Sequence, residues 1–424
     1  MTNSGFAIIA IYVLIALSLW TPEAETGGTG LMVMARYAAF VSTSMAIVLH
    51  TWVTRGIVIS RSPDWLLLIA FLLYTSLSVL WSEGGVNAAI KAMLIFSALL
   101  VTVSIANAVG LDALLRIYYN AMGVFLVLSL LFVIFYPERG IETGWLLEGD
   151  WRGIAGQKNG LGNVAALVFV ASVALPLARR LDGSRAPFAR FTRFSMVVVS
   201  VVCLVNSGSR GALLSAGVGL GALLASRAPR AVQRVALVAL AILAIPVIHL
   251  TVATFELDVD KIDVLGTTID TSSRTTIWFY GLEQLSGREL LGFGVGGFWT
   301  PERMTAFRDV HGWVLDNFHN GYVTILVEGG FVGIALLLLA FGFVLLLYLV
   351  AIGNLRDPYV ALAFAYAAIY VTSNMVENEI GRSTSLTLIM FLTISFALRL
   401  HLSRVLAPAR AGPTGLPAVA PTLS

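Results

Sequence analysis

Polar side chains that could do chemistry stand at the start of a long apolar stretch. The segment HNGYVTILVEGGFVG places His319 next to Asn320, and Asn320, Thr324 and Glu328 recur every four residues. On a helix this spacing puts three polar side chains on one face, which reaches about two turns into the membrane. Because ionisable groups are costly inside a bilayer, such a face favours a functional site. A histidine that only caps the start of a helix is the alternative.

Two arginines are candidates for binding a phosphate or a diphosphate. Arg210 follows a Ser-Gly-Ser turn and begins an apolar stretch, and Arg274 begins a segment in which Trp278 and Leu282 share one helical face. A guanidinium is always charged, and its planar fork suits phosphate oxygens. Backbone N–H groups of the Ser-Gly-Ser turn would join Arg210 at the N-terminus of its helix. The alternatives are a snorkelling arginine at 210 and a solvated arginine on a surface helix at 274.

Three further polar residues accompany these candidates. Lys158 and Asn159 stand at the start of another apolar stretch, and Glu377 lies in the polar segment SNMVENEIGRS, residues 373–383. For Lys158, a lysine that anchors a helix at the membrane surface is an equally ordinary explanation. Their segments belong to the same set of polar stretches as those of the arginines and the histidine.

A metal site is the competing chemical interpretation of the histidine. Asp309, His311, Asp316 and His319 lie close together, but their spacing matches no zinc or two-metal signature. We therefore predict no metal and no cofactor. Neither a Ser–His–Asp arrangement with a nucleophile elbow nor a paired-carboxylate site is recognisable. Nucleic-acid binding is not supported either, because the basic residues serve as orientation signals in membrane loops.

The composition requires a membrane protein to position these residues. The chain has 424 residues, of which 58% are hydrophobic and 12% charged, and its mean hydropathy is +0.87. A soluble domain cannot bury that much apolar surface, so the fold class is an all-α polytopic membrane protein. Cys203, the single cysteine, supports neither a disulfide nor a thiolate metal site. The first apolar stretch lacks a basic n-region and is expected to be a retained helix rather than a signal peptide.

Apolar windows predict about twelve transmembrane helices. The short pair 193–206 and 211–226 is joined by the tight loop NSGSRG and is expected to form a hairpin packed within the bundle. The windows cover about 6–20, 30–49, 65–81, 87–108, 112–136, 159–178, 193–206, 211–226, 231–254, 320–350, 358–376 and 383–402. Together they predict one membrane domain over residues 1–404 and a disordered tail over 405–424.

Loop charge predicts the orientation of the chain. With the N-terminus inside, Lys and Arg concentrate in short inner loops such as ARRLDGSRAPFARFTR and SRAPRAVQR, as the positive-inside rule requires. Both termini are then cytoplasmic, and the longest loop, about 255–317, faces outward. This orientation places His319, both arginines and the segments of Lys158 and Glu377 on the same outer side.

The ordered motifs GSRGALLS, SSRTTIWFYGLEQL followed by LLGFGVGGF, and HNGYVTILVEGGFVG resemble a known family. They resemble the membrane domain shared by O-antigen ligases and Wzy-type polymerases of O-antigen or exopolysaccharide, best over about 150–345. The segment WRGIAGQKNGLGN and the later NMVENEI look more like the succinoglycan-type exopolysaccharide polymerases. This likeness favours a polymerase over a ligase.

The resemblance implies a metal-independent glycosyltransferase with a glycosyltransferase-C-like helical bundle, acting on lipid-linked sugars. It implies that Arg210 and Arg274 hold the diphosphate of an undecaprenyl-diphosphate-linked oligosaccharide and that His319 stands at the reacting end, beside Asn320. Lys158, Asn159, Glu328 and Glu377 are then expected to bind substrate. The implied location is the bacterial inner membrane with a periplasmic active site, and membrane lipid and a chain-length regulator protein are the expected partners.

Two rival functions stay open from the sequence. A ligase would move finished glycan onto lipid A-core with the same chemistry, whereas a transporter or flippase of lipid-linked sugars would also need arginines in a cavity. Transporters usually place polar sites near the bilayer midplane and contain internal repeats. The sequence has no visible repeat and its polar groups gather on one side, so transport ranks third.

Overall fold

The computed structural model describes residues 3–20, 30–143, 148–174, 187–229, 231, 261–264, 267–270, 272–312, 315–354 and 357–405. These residues are almost entirely helical, as predicted, and their only strands are the antiparallel pair β1, Lys261–Val264, and β2, Thr267–Asp270. The helices are α1 Asn3–Leu19, α2 Leu31–Arg55, α3 Pro63–Leu77 with a 3₁₀ turn Ser78–Trp81, α4 Gly85–Ala108, α5 Leu111–Phe135, α6 Pro137–Gly140, α7 Lys158–Val173, α8 Pro187–Asn206, α9 Arg210–Ala225, α10 Ser272–Glu283, α11 Pro301–His311, α12 Gly321–Asn354, α13 Pro358–Ser373 and α14 Leu386–Val405.

The helices confirm a polytopic all-α membrane protein. Within the described ranges, six are long and apolar enough to cross a bilayer, and five shorter apolar helices accompany them. Eleven of the twelve predicted windows coincide with a helix. The window 231–254, the start of the large loop at 255–260 and the tail from 406 onward lie outside the described residues, so the count of twelve stays a prediction.

Polar contacts divide the bundle into two ends. At one end Arg399 donates to Asp64, and Arg116 donates to the Tyr359 hydroxyl, 3.1 Å away. At the other end, the large-loop end, Arg36 donates to the Thr384 hydroxyl at 2.8 Å. Charged side chains therefore have polar partners where helices converge, which offsets part of the cost of placing them in an apolar bundle.

Three short helices, α7, α9 and α13, pack against one another and set the depth of the large-loop end. Each has 16 residues and is about 24 Å long, less than the roughly 30 Å of a hydrocarbon core. Because each of these helices is shorter than the hydrocarbon core, we call their ends on the large-loop side the recessed end. The predicted hairpin of α8 and α9 is loose, because α8 packs mainly on α7 and α9 mainly on α13.

Helix α12 is broken at Gly330, the second residue of a Gly-Gly pair. Gly330 has φ 62° and ψ −165°, outside the helical region. Tyr322 and Phe341 would be about 28 Å apart along a straight helix, yet their ring centroids are 6.4 Å apart. The two halves of α12 therefore fold back toward each other. We call residues 321–329 the short arm and the break at Gly330 the elbow.

The glycine-rich segment LLGFGVGG, residues 290–297, completes the hydrogen bonding of the elbow. The N–H groups of Phe293 and Gly294 donate to the carbonyls of Val327 and Glu328, at 3.0 and 2.8 Å. In return, Phe331 N–H donates to the Glu289 carbonyl at 2.7 Å. These bonds satisfy groups that a broken helix leaves without intrahelical partners. The glycines thus serve a close backbone contact rather than a phosphate-binding loop.

The described part of the large loop forms a small hydrophobic core of its own. Helix α10 contributes Ile277, with Trp278 and Leu282 packed on the same core, which confirms the predicted amphipathic helix. Helix α11 begins at a Thr300 cap and ends at Gly312 in the left-handed region. The core comprises Ile277, Leu285, Phe293, Phe298, Phe307, Phe318 and Val327. This core fixes the short arm and the residues that precede it.

Replacing Gly330 with alanine is expected to destabilise the protein strongly. A Cβ at Gly330 would lie 2.4 Å from the Leu290 carbonyl oxygen, and φ is positive. Backbone strain of this kind costs about 1–3 kcal/mol before the clash is added. Gly342→Ala is the matched control in the same helix, because nothing lies within 4 Å of the added Cβ. Thermal unfolding in detergent measures both variants, and equal melting temperatures would contradict the elbow geometry.

Candidate active site

The loop between α13 and α14 gathers polar groups from four other segments at the recessed end. Its Glu377 carboxylate is buried and accepts a hydrogen bond from Asn159 Nδ2 at 2.6 Å. Arg274 Nη2 lies 3.6 Å from Glu377 Oε1, and His319 Nδ1 lies 3.8 Å from Glu377 Oε2. Three of the predicted site residues therefore meet around the carboxylate of a fourth, Glu377.

Both candidate arginines border Val376, the residue before that carboxylate. Arg274 Nη1 donates to the Val376 carbonyl at 2.7 Å. On the other side, Gly211 at the start of α9 packs so closely that an added Cβ would lie 2.4 Å from Val376 Cγ2. This contact places the first turn of α9, and with it Arg210, beside the Arg274 binding point.

The two arginines differ in how firmly they are held. Arg274 is oriented by the Val376 carbonyl and the Glu377 carboxylate, whereas Arg210 is exposed and has no hydrogen bond or ion pair within the described part of the chain. An unpaired guanidinium at the mouth of a recessed polar site remains available to an anion. One guanidinium of the site, that of Arg274, is therefore held in place by the protein. The other, that of Arg210, has no partner among the described residues.

The Ser-Gly-Ser turn before Arg210 does not provide the anion-binding N–H groups that its sequence suggested. Ser207 N–H donates to the Cys203 carbonyl and Gly208 N–H to the Val205 carbonyl, at 3.0 and 3.2 Å. The next N–H, that of Ser209, donates to the Ser207 hydroxyl. Because all three groups are satisfied locally, an anion at this end of α9 would meet the Arg210 side chain rather than N–H groups of the turn.

His319 has the only positive φ among the described non-glycine residues, 47°. Its N–H donates to Asn317 Oδ1 at 2.9 Å, and the preceding Phe318 carbonyl accepts from the Trp278 indole at 2.8 Å. A non-glycine residue in the left-handed region is strained, and such residues cluster at functional sites. The aromatic core therefore fixes the backbone that carries the imidazole.

The predicted polar face has a different form from a simple helical stripe. Asn320 precedes the first helical residue and caps it, accepting from the N–H groups of Tyr322 and Val323 at 2.9 and 3.1 Å. Its Nδ2 donates to the Met375 carbonyl, which ties the short arm to the Glu377 loop. Thr324 donates to the Asn320 carbonyl. Asn320 therefore positions the short arm, whereas its neighbour His319 faces the Glu377 carboxylate.

Glu328 is buried on the short arm, and its carboxylate makes no hydrogen bond or ion pair with the described residues. The other predicted ligand, Lys158, is engaged: its ammonium lies 2.6 Å from Asp150 Oδ2. Asp150 in turn packs against Gly208, where an added Cβ would lie 2.1 Å from Oδ1. Lys158 therefore braces the turn before Arg210, whereas the buried Glu328 carboxylate has no partner among the described residues.

The residues considered as metal ligands are dispersed. Asp309 pairs with Arg308 at 3.0 Å, and Asp316 accepts from Asn317 at 2.8 Å. The His311 ring packs on Phe307. Over the described ranges, no group of three or more His, Cys, Asp or Glu side chains is placed to hold a metal ion.

A comparison with protein families covers the centre of this site. Residues 195–338 match the family model described as O-Antigen ligase. This segment is therefore similar to the O-antigen ligase family. The match supports the superfamily of O-antigen ligases and Wzy-type polymerases that the motifs resembled. No curated protein matches the chain, and the succinoglycan-type likeness stays a prediction.

The segment that matches the O-antigen ligase model holds only part of the site. Arg210, Arg274 and His319 lie inside the matched residues, whereas Asn159 and Glu377 lie outside them. The flanking helices therefore complete the site, since the hydrogen bond between Asn159 and Glu377 joins α7 to the loop after α13. The broader 150–345 core suggested by the motifs contains the matched segment but stops short of this loop.

Sequence reasoning missed a second carboxylate that holds the loop in place. Glu379 is buried and accepts from Asn163 at 3.2 Å, from Thr387 at 2.8 Å and from Ser385. The spacing of these residues could have indicated this contact. Asn159 and Asn163 are four residues apart and share one helical face, and Glu377 and Glu379 are two residues apart in the loop. Two parallel Asn–Glu contacts therefore fasten α7 to the loop.

Proposed function

We propose that the protein is a membrane glycosyltransferase that polymerises undecaprenyl-diphosphate-linked repeat units into exopolysaccharide or O-antigen. The observation that carries the proposal is the meeting of Arg274, His319 and Asn159 at Glu377, beside Arg210 and within the recessed end of a helical membrane bundle. The O-antigen ligase match over residues 195–338 supports a function with lipid-linked glycans.

In this proposal Arg210 and Arg274 bind the diphosphate of the donor. Charge on the leaving diphosphate rises as the sugar–phosphate bond breaks, and preorganised cations stabilise it where water is excluded. Arg274 is held by the Val376 carbonyl and supplies a fixed fork, whereas Arg210, which has no partner among the described residues, is available to close on the second phosphate. The two guanidiniums perform this task without a metal ion.

His319 then acts on the acceptor hydroxyl. Its Nδ1 faces Glu377, which leaves Nε2 for the acceptor. The acceptor oxygen attacks the anomeric carbon of the donor, the bond from that carbon to the phosphate oxygen breaks, and undecaprenyl diphosphate leaves. The hydroxyl proton passes to the imidazole as general base. No further reactant is needed because the donor carries its own leaving group.

The remaining polar residues bind or position substrate in the proposed site. The unpaired Glu328 carboxylate accepts hydrogen bonds from sugar hydroxyls, and Asn159 and Glu377 orient the charged centre. Asn320 fixes the start of the short arm, and Lys158 fixes the turn before Arg210 through Asp150. Recessed short helices support a diphosphate bound at the level of the lipid headgroups.

The proposed location is the bacterial inner membrane, with both termini cytoplasmic and the site facing the periplasm. Loop charge supports this orientation. The large-loop end would then meet lipid-linked donors and acceptors by diffusion in the outer leaflet. A chain-length regulator protein is a proposed partner for control of polymer length.

Deletion of the gene and complementation test the function. We expect lipid-linked single repeat units to accumulate in the deletion strain, and the intact gene to restore long polymer. The same strain separates the second candidate, a ligase, which the description of the matched family favours. If the deletion strain still forms long glycan on undecaprenyl diphosphate but this glycan never reaches lipid A-core, the protein is a ligase and not a polymerase. Unprocessed donor retained on the cytoplasmic face would favour a flippase.

Replacing Glu377 with glutamine is expected to lower the transfer rate about tenfold or more without loss of folded protein. Glutamine keeps the shape and an oxygen for Asn159, but it removes the negative charge beside Arg274 and His319. Interactions with charged groups contribute about 1.5–3 kcal/mol each. Polymer formed per folded molecule by the purified protein in proteoliposomes measures the effect. Glu302→Gln on the exposed face of α11 is the control, and equal activity of both variants would contradict the role of Glu377.

A further inference from the structure

An exposed apolar surface surrounds the elbow of α12 and includes part of the large loop. Leu80 is 80% exposed, Leu290 63% and Phe331 56%. Leu77 and Leu291 are also exposed, and these five residues are named the elbow patch. Large apolar side chains that are exposed side by side indicate a contact surface rather than scattered surface residues.

Hydrogen bonds make the elbow patch one continuous surface. The Val332 N–H donates to the Leu290 carbonyl at 3.1 Å, and the Trp81 indole donates to the Leu291 carbonyl at 3.2 Å. Tyr74 donates to the Gly329 carbonyl at 2.6 Å and joins α3 to the elbow. The loop residues are thus fixed against the ends of two apolar helices instead of extending into water.

The depth of the elbow places this surface at the edge of the hydrocarbon core. From Asn354 to Gly330 the long half of α12 spans about 36 Å, and the core is about 30 Å thick. Exposed leucines such as Leu338 and Leu339 continue the same apolar surface along the helix. The elbow patch is therefore the upper margin of the lipid-facing surface.

A charged rim borders the elbow patch on the side away from the bilayer core. Glu83 pairs with Arg288 at 2.5 Å and with Arg303 at 2.7 Å. The hydrogen bond from Arg303, helped by Arg288, lowers the pKa of Glu83, so the rim stays ionised. Toward the bilayer core, the charges of the rim are followed by Trp81 and then by the exposed leucines of the elbow patch. This order is typical of a membrane interface.

We propose that the elbow patch is embedded in the acyl-chain margin of the bilayer, so that residues 290–291 of the large loop form a non-helical membrane anchor. The occupant of the surface is phospholipid. This inference does not depend on the enzymatic proposal. The anchor is bonded to the short arm through Phe293 and Gly294, and that arm begins directly after His319 and Asn320.

A single fluorescent probe tests the anchor. Three variants of the full chain are made in a Cys203→Ala background: Leu290→Cys, Leu80→Cys and Val310→Cys. Each purified variant is labelled at its new cysteine with an environment-sensitive fluorophore. Proteoliposomes contain phosphatidylethanolamine and phosphatidylglycerol whose acyl chains are brominated close to the headgroup. We expect the Leu290 probe to show the same blue shift and loss of emission as the Leu80 probe. Val310, exposed on α11 beside Arg308 and Asp309, is the aqueous control.

Emission from the Leu290 probe that matches the Val310 probe, without a blue shift or quenching, would overturn the proposal. The same result would point to a protein partner or to water over the surface. Leu291→Cys provides a second attachment point on the same loop, should the Leu290 variant fold poorly. Because the vesicles contain only this protein and lipid, quenching at either position supports lipid as the occupant.

Discussion

Polymer formation is expected to fall about 100-fold to 10,000-fold when His319 is replaced with alanine, because a positioned general base contributes a factor of that size. The imidazole is partly exposed, and its Nδ1 faces the Glu377 carboxylate. Loss of the side chain removes the proton acceptor but leaves Arg210 and Arg274 in place. The variant should therefore still bind the lipid-linked donor.

Donor binding and transfer are measured separately to test this prediction. Retention of radiolabelled lipid-linked repeat unit by purified protein reports binding, and the length distribution of product in proteoliposomes reports transfer. His311→Ala is the control, since that ring packs on Phe307 away from the carboxylate. Normal polymer from His319→Ala at ordinary protein levels would remove His319 from the reaction. Loss of donor binding as well would assign the histidine to the donor rather than to the acceptor.

His319→Gly tests whether the unusual backbone at this position has a separate effect. Glycine adopts a positive φ at no steric cost, so it keeps the backbone of residue 319 and removes only the imidazole. We expect the glycine variant to melt at or above the temperature of the alanine variant while being equally inactive. A lower melting temperature for glycine would indicate that packing of the imidazole supports the loop.

Much of this fold follows from the sequence because a bilayer restricts the alternatives. Helices are the only apolar segments that satisfy their own backbone in lipid, so hydropathy was sufficient to place eleven of the described helices. The Gly329-Gly330 pair indicated a weak point because glycine tolerates dihedral angles that other residues avoid. Arg274 was correctly placed on an amphipathic helix because Trp278 and Leu282 recur at helical spacing.

The geometry of the site could not be derived in the same way. The four-residue spacing predicted that Asn320 lies on a helical face, but Asn320 caps the helix instead. Whether a residue belongs to the first turn or caps it depends on which backbone N–H groups need a partner. The folding back of α12 depends on the distant segment around Phe293, whose backbone supplies the missing bonds. Likewise, the meeting of Asn159 with Glu377 joins segments 218 residues apart, a contact that no local pattern encodes.

Lysine substitutions are expected to distinguish the two arginines. Arg274 donates to the Val376 carbonyl and faces Glu377, so its planar fork is held at two points. Lysine cannot reproduce this arrangement, and we expect Arg274→Lys to lose about 100-fold or more in transfer, nearly as much as Arg274→Ala. Arg210 has no partner among the described residues, so Arg210→Lys keeps the point charge and should retain more activity than Arg210→Ala.

The comparison is made on product formed per folded molecule, with Arg308→Ala as the control for an exposed arginine outside the site. Salt dependence offers a second measurement, because an exposed charge is screened by salt more than a partly buried one that is held by hydrogen bonds. We therefore expect donor binding by Arg274→Ala, which relies on Arg210 alone, to fall more steeply with ionic strength than binding by Arg210→Ala. Equal tolerance of lysine at both positions would contradict the division into a fixed and a free guanidinium. Full activity of Arg210→Ala would exclude that residue from the diphosphate site, and Arg274 would then need another cation beside Val376.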